Sequence, residues 1–110
     1  MERRTRRDRG LSEPAVRVLT LMLDDPAAAH YGLDLGQRAD VLTGTVYPLL
    51  QRFEHQGWLE SALEPIDPAQ AGRPRRRLYR FTPGGAQRAA RAIAERETRS
   101  ARATPRGRTA

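Results

Sequence analysis

Arginine dominates the chemistry that this chain could perform. All 20 basic side chains of its 110 residues are arginine, and 13 acidic residues leave a net charge of +7. A guanidinium group binds a phosphate or a carboxylate through paired hydrogen bonds. Five arginines fall within residues 72–81, which contain no acidic residue. This pattern favours binding to a polyanion, although a bias in genome base composition would raise the arginine content in the same way.

The charges are segregated along the chain. Residues 1–10 carry a net charge of +3, residues 11–71 carry −6, and residues 72–81 and 82–110 carry +5 each. An evenly solvated surface would mix the two signs. We therefore expect a disordered basic arm over residues 1–10, a folded body, and a disordered basic tail over residues 100–110.

Other function classes find little support in the sequence. The chain has no cysteine, and its two histidines, His30 and His55, show no metal-ligand spacing. Neither a nucleophile with a partner base nor a glycine-rich phosphate loop is present, so we predict no catalysis and no cofactor. The apolar stretch from Val18 to Leu23 is far shorter than a membrane span, and no export signal is recognisable. These features fit a cytoplasmic protein.

The first half of the folded body predicts three helices. Ser12 can cap a helix over residues 13–24, whose apolar residues recur at helical spacing. A short second helix is expected over residues 31–39. A third helix is expected over residues 44–56, with Gly57 in the left-handed position that follows a helix.

Two strands and one more helix complete the pattern. Residues 58–64 and 77–82 are short runs of aromatic and aliphatic residues, typical of strands, and a loop rich in proline, glycine and arginine joins them. Thr82 is expected to cap the last helix, with Pro83 in its first position.

This order of elements is that of a winged helix-turn-helix domain. The predicted fold class is mainly α with a small antiparallel β-hairpin. The winged helix-turn-helix covers residues 11–82, and a C-terminal dimerisation helix covers residues 83–99. One chain offers little to cover the apolar stripe of that last helix, so a second copy is the expected partner in a two-fold dimer. The stripe consists of Ala86, Ala89, Ala90, Ile93 and Ala94.

Three motifs, in the same order along the chain, resemble those of the PadR family of transcriptional regulators. Residues 30–39, HYGLDLGQRA, are similar to the family's H-G-Y-E-(I/L) region. Residues 44–54, GTVYPLLQRFE, resemble its G-T-(L/V)-Y-P-x-L-x-R-L-E signature. Residues 72–82, GRPRRRLYRFT, resemble the G-x-P-R-(K/R)-x-Y-x-L-T stretch of the PadR wing. The likeness covers roughly residues 11–95 and is far more specific than any single motif.

The start of the third helix departs from the family pattern. Leu42 stands where the family often has a capping serine, and Thr43 stands where a proline follows it. Pro48 also lies late for the first turn of a helix. We therefore expect this helix to begin irregularly or at a displaced residue.

The resemblance implies a function and an assembly. Small PadR proteins, with one helix after the wing, are dimers built through their first and last helices, so Leu19 and Met22 of the first helix are expected to join the alanine stripe at the interface. PadR relatives are typically repressors, and some are released by small aromatic or drug-like effectors. We expect a sequence-specific regulator that binds a two-fold site in double-stranded DNA as a homodimer. The alternative is a winged-helix module that contacts protein or RNA.

The third helix is the expected recognition helix, because the second helix of a helix-turn-helix enters the major groove. Its hydroxyl groups can reach phosphates, Gln51 and Arg52 can meet base edges, and the wing arginines can contact phosphates or the minor groove. Tyr47 could instead pack beneath the wing, Arg52 could pair with a nearby acid, and the wing loop could simply be solvated. The residues expected to contact DNA are Tyr31, Thr43, Thr45, Tyr47, Pro48, Gln51, Arg52, Arg73, Arg75 and Arg76.

Overall fold

The computed structural model describes residues 10–103. The basic arm and most of the basic tail expected from the sequence lie outside the described residues. Within this range, no helix combines the length and the apolar character that crossing a membrane requires. The elements are α1 (Glu13–Leu23), β1 (His30–Tyr31), α2 (Gly32–Ala39), α3 (Thr43–His55), β2 (Leu59–Leu63), α4 (Pro68–Ala71), β3 (Arg77–Phe81) and α5 (Gly85–Ala103).

Helix α1 forms as the sequence predicts. The Ser12 hydroxyl accepts a hydrogen bond from the N–H of Ala15 at 3.2 Å, and Pro14 lies in the first turn, where a missing N–H costs nothing. Arg17 on this helix donates from Nε to the carbonyl of Ala39 at 3.0 Å and from Nη2 to the carbonyl of Asp40 at 3.2 Å. These bonds tie α1 to the end of α2, where the carbonyl groups have no helical partner.

Helices α2 and α3 form the helix-turn-helix. Helix α2 ends at Asp40, whose φ of 59° is left-handed, and the N–H of Val41 then bonds the carbonyl of Gly36 at 2.7 Å. A Cβ at residue 36 would lie 2.9 Å from the Val41 carbonyl oxygen, so only glycine fits this tight turn. The buried residues of α3, among them Val46 and Phe53, then pack into the core.

Helix α3 begins regularly at Thr43, so the irregular start expected from Pro48 is wrong. The carbonyl of Leu42 accepts hydrogen bonds from the N–H groups of Thr45 and Val46, both at 2.9 Å. The one intrahelical bond that Pro48 cannot donate would reach the carbonyl of Gly44, in the exposed first turn of the helix. Water can solvate that carbonyl, and the helix continues to His55.

The wing is a three-stranded antiparallel sheet in the order β1-β3-β2, where the sequence predicted only a two-stranded hairpin. Strand β3 pairs with β2 in the register Ser61 opposite Tyr79, and with β1 in the register His30 opposite Tyr79. Strand β1 has only two residues, which is too short to show a hydrophobic periodicity. The loop between β2 and β3 also contains the short helix α4, whose N-terminus is capped by the carboxylate of Asp67 at 3.0 Å.

The last helix begins later and ends later than predicted. Thr82 does not cap it: the Thr82 hydroxyl donates to the carbonyl of Gly57 at 2.7 Å. A turn closed by the bond from the Gly85 N–H to the Thr82 carbonyl intervenes, with Gly84 at a φ of 82°. Pro followed by Gly is typical of a type II turn, so this signal was present in the sequence. Helix α5 then runs from Gly85 to Ala103, past the predicted end at residue 99.

The core lies between α1, α2, α3 and the inner face of the sheet. Phe53 is fully buried and its ring stacks on Trp58, with centroids 5.5 Å apart and planes 8° from parallel, so Trp58 belongs to the core. Leu19, Met22 and Ala89 are also fully buried within the single chain. Assigning these three residues to a dimer interface is therefore corrected, because they have no surface left for a partner.

Candidate nucleic-acid interface

The outer face of α3 is exposed and polar. The six predicted contact residues on this helix lie on the surface: Thr43, Thr45, Tyr47, Pro48, Gln51 and Arg52. Gly44, between the two threonines, has no atom within 4 Å of the position that a Cβ would occupy. No acidic residue lies in the first turn of the helix. An approaching phosphate or base edge therefore meets hydroxyl, amide and guanidinium groups without charge repulsion from that turn.

Tyr47 packs against the start of α2 and is also partly exposed. It is 38% exposed, yet its ring lies against the start of α2, since a Cβ at Gly32 would come within 2.5 Å of the Tyr47 Cε1 atom. The absence of a side chain at residue 32 thus makes room for the ring. Packing fixes the ring, and the exposed part of the side chain remains available to a ligand.

Glu64 accepts four hydrogen bonds from other residues of the wing, and no motif in the sequence singled it out. Its side chain is 5% exposed. One carboxylate oxygen accepts hydrogen bonds from Arg73 Nη1 at 2.7 Å and from the backbone N–H of Arg76 at 2.9 Å. The other accepts from Arg73 Nη2 at 3.1 Å and from the Tyr31 hydroxyl at 2.5 Å. We name these four residues, Tyr31, Glu64, Arg73 and Arg76, the Glu64 cluster.

The Glu64 cluster ties the loop between β2 and β3 to Tyr31 of β1, which leads directly into α2 of the helix-turn-helix. The paired bonds from Arg73, followed by the bond from Tyr31, lower the pKa of Glu64 to about 2, from an ordinary value of 4.5. The same contacts raise the pKa of Arg73 and of Tyr31. Glu64 is therefore a carboxylate, and Arg73 a cation, at every physiological pH.

These contacts give two of the residues predicted to contact DNA a partner within the protein. Arg73 was predicted to contact DNA from a loop free of acids, but the loop between β2 and β3 begins with Glu64, which binds the Arg73 guanidinium, and also contains Asp67. Tyr31 was also predicted to contact DNA, and its hydroxyl is bound to the same carboxylate. Arg73 lies nine positions after Glu64, so no local spacing rule could have shown the pairing.

The other two predicted wing arginines are exposed. Arg75 donates from Nε to the carbonyl of Ile66 at 2.9 Å, which holds the base of the guanidinium at the surface. The guanidinium of Arg76 lies over the Tyr31 ring, 5.1 Å from its centroid, a cation–π distance. Both arginines are thus positioned by contacts with the wing while the side chains remain exposed.

A second polar connection links the sheet to α3 and was not foreseen. Arg77 donates from Nη1 to the hydroxyl of Ser61 at 3.1 Å, and that hydroxyl donates to Glu54 of α3 at 2.7 Å. Arg80 faces the opposite side of the sheet and pairs with Glu60 at 3.1 Å, where both side chains are exposed. The two strand arginines therefore differ: Arg77 lies on the face towards α3, and Arg80 does not.

The predicted alanine stripe of α5 divides between two faces. Ala86, Ala89 and Ile93 pack against the core of the same chain. Ala90 and Ala94 are exposed. Arg96 anchors the helix by donating to the carbonyl of Leu11 at 2.8 Å and to Glu13 at 3.2 Å. Of the predicted stripe, Ala89 is therefore unavailable to another molecule, Ala86 and Ile93 are partly available, and Ala90 and Ala94 are exposed.

Solved structures of transcriptional regulators share the fold. BpsR of Bordetella bronchiseptica, described in connection with regulation of its DNA binding by 6-hydroxynicotinic acid, superposes with a TM-score of 0.62 at 21% identity, over 89% of this chain and 70% of that one. PcaV of Streptomyces coelicolor superposes with a TM-score of 0.59 at 24% identity over 81% of this chain. This chain spans only 57% of the length of PcaV. A transcriptional regulator homologue from Pyrococcus horikoshii superposes with a TM-score of 0.61 at 12% identity, over 83% of each chain.

These likenesses establish the winged-helix fold, and a sequence comparison establishes the family. No curated protein matches the chain. A family model described as "Transcriptional regulator PadR-like family" matches residues 22–91, well over half of the chain, from the end of α1 into α5. That family consists of transcription regulators rather than enzymes. The chain is a member of the PadR-like family of transcriptional regulators.

Proposed function

We propose that the protein binds a specific site in double-stranded DNA as a homodimer and represses transcription there. The observation that carries this proposal is the exposed polar face of α3, together with the exposed Arg75 and Arg76 of the wing. The Glu64 cluster fixes the wing relative to the helix-turn-helix, so the two basic side chains and the helix can meet one duplex together. Such preorganisation spares the protein an ordering cost on binding.

Each part of this surface has a proposed role. Helix α3 enters the major groove, with Thr43 and Thr45 on phosphates and Gln51 and Arg52 on base edges. A bidentate arginine favours guanine and a bidentate glutamine favours adenine. Arg75 and Arg76 of the wing contact phosphates or the neighbouring minor groove. Arg73, which is bound to Glu64, is proposed to hold the wing loop in place.

The homodimer is proposed from the exposed part of α5. Ala90 and Ala94 lie one helical turn apart on the surface, and small residues allow two helices to approach closely. A two-fold dimer would place two α3 helices in major grooves about 34 Å apart. Release by a small-molecule effector is proposed by analogy with BpsR, whose DNA binding is regulated by 6-hydroxynicotinic acid.

The test is retention of genomic DNA. Sheared genomic fragments are passed over the immobilised protein, and the retained fragments are sequenced and used in shift assays with RNA and random duplex as competitors. We expect a two-fold sequence motif, a complex of two chains per site, and weak competition by RNA. Preferential retention of RNA, or of a protein partner with no duplex bound at low salt, would instead support the interaction module.

Removing the two wing arginines should weaken binding to every DNA sequence. For Arg75→Ala with Arg76→Ala we expect lower affinity for specific and random duplex alike, and a salt dependence that flattens by about 0.9 in log–log slope for each lost phosphate contact. Arg80→Ala is the control: it removes one positive charge, where the double variant removes two, from the side of the sheet that faces away from α3. Equal slopes for the double variant and the wild type would contradict the wing assignment.

A further inference from the structure

Leu42 is an apolar side chain in a place where the fold gives it nothing to pack against. It is 81% exposed, the highest value among the large hydrophobic residues in the described part of the chain, where Leu33 follows at 51%. The packing of this turn is instead provided by its neighbour Val41, which is buried, and by Val46 of the first turn of α3. Packing of the core therefore does not require an apolar side chain at residue 42.

Its position makes this exposure unusual for a second reason. Leu42 is the N-cap of α3, and its side chain cannot accept a hydrogen bond from the helix, so the N-terminus has no side-chain cap. Serine, threonine, aspartate or asparagine would provide that bond and would also be better solvated. Leucine at residue 42 thus provides no helix cap and exposes apolar surface at the end of α3 that is proposed to enter the major groove.

We propose that Leu42 contacts the 5-methyl group of a thymine and so selects an A·T pair at one position of each half-site. This inference rests on the proposed DNA binding and adds a base preference to it. The thymine methyl is the one apolar group that a base pair presents in the major groove of unmodified DNA, and apolar side chains recognise it by contact. The open space beside Gly44 leaves the start of α3 unobstructed for a base edge.

Thymine-to-uracil replacement tests this contact one methyl group at a time. In a duplex retained by the wild-type protein, each thymine of one half-site is replaced in turn by deoxyuridine, which pairs identically and lacks only the methyl. We expect one position near the start of α3 where the wild type loses roughly fourfold in affinity, the effect of one buried methyl group. Leu42→Ser should bind the thymine and uracil duplexes equally at that position.

Leu33→Ser is the matched control, since it removes an exposed leucine from α2 rather than from the end of α3. It should keep the fourfold response. Leu42→Ser supplies a helix cap, so its melting temperature should equal or exceed that of the wild type, and loss of folding cannot imitate the result. If the wild type binds the duplex but no position is sensitive to loss of the methyl group, or if Leu42→Ser retains the sensitivity, the thymine contact is overturned while the proposed DNA binding stands. A wild type that binds no duplex would overturn the proposed function as well.

Discussion

Gly85→Ala is expected to lower the free energy of unfolding by about 3 kcal/mol, at the upper end of the usual cost of overpacking. A Cβ at this position would collide with the carbonyl oxygen of Trp58 and lie 2.8 Å from the Thr82 hydroxyl. Neither group can give way cheaply. The Trp58 carbonyl accepts from the Thr82 N–H at 3.0 Å, and the Trp58 ring stacks on the buried Phe53. Chemical denaturation of both proteins measures the difference.

Gly44→Ala is the control for this substitution, because a Cβ at residue 44 has open space and the residue lies within a helix. We expect it to leave stability unchanged or to raise it by up to about 1 kcal/mol, the helix propensity difference between the two residues. If Gly85→Ala were as stable as Gly44→Ala, the start of α5 could not lie in close contact with the Trp58 carbonyl.

Glu64→Gln is expected to loosen the wing. The substitution keeps the shape of the side chain and removes the charge that accepts four hydrogen bonds from Tyr31, Arg73 and Arg76. An amide also presents an N–H group to a guanidinium that has only donors. We expect a lower melting temperature, together with trypsin cleavage in the arginine-rich loop that is faster by on the order of tenfold, since local opening becomes easier.

The matched control is Glu60→Gln, which breaks the pair with Arg80 on the exposed side of the sheet. An exposed ion pair contributes little, so its melting temperature and cleavage rate should stay close to those of the wild type. Similar behaviour of the two variants would contradict the central position of Glu64 in the wing.

The contribution of Glu64 should also disappear in acid. Its folded pKa, about 2, lies below the ordinary value of 4.5, so the folded state binds fewer protons and the stabilisation is complete only above about pH 4.5. It declines as the pH falls from there towards about 2. His30 also favours unfolding on acidification, because burial and then Arg38 lower its pKa. The stability difference between wild type and Glu64→Gln isolates Glu64, and a difference that stays constant from pH 6 to pH 2 would refute this explanation.

The corrections in the wing and at the last helix show where local patterns fail. The spacing of residues correctly predicted the Ser12 cap, the apolar stripe of α1 and the left-handed conformation of Gly57, because each depends on residues only a few positions away. Strand β1 depends on a partner strand about fifty residues away, and its two residues carry no periodicity of their own. Pro83 followed by Gly84 is a local signal for a turn, but Thr82 followed by Pro83 is also typical of the start of a helix, so the local pattern alone allows both structures.

By itself, the sequence determined the three helices of the body, the exposed polar face of α3 and the concentration of arginine in the wing, because hydrophobic periodicity and charge act locally. The tertiary structure decided which arginines are available. Glu64 and Arg73 meet only when the sheet folds, and burial then makes their pairing obligatory. The same holds for Leu19 and Met22, whose helical stripe suited a partner chain or the core equally well until the other helices filled the space around them.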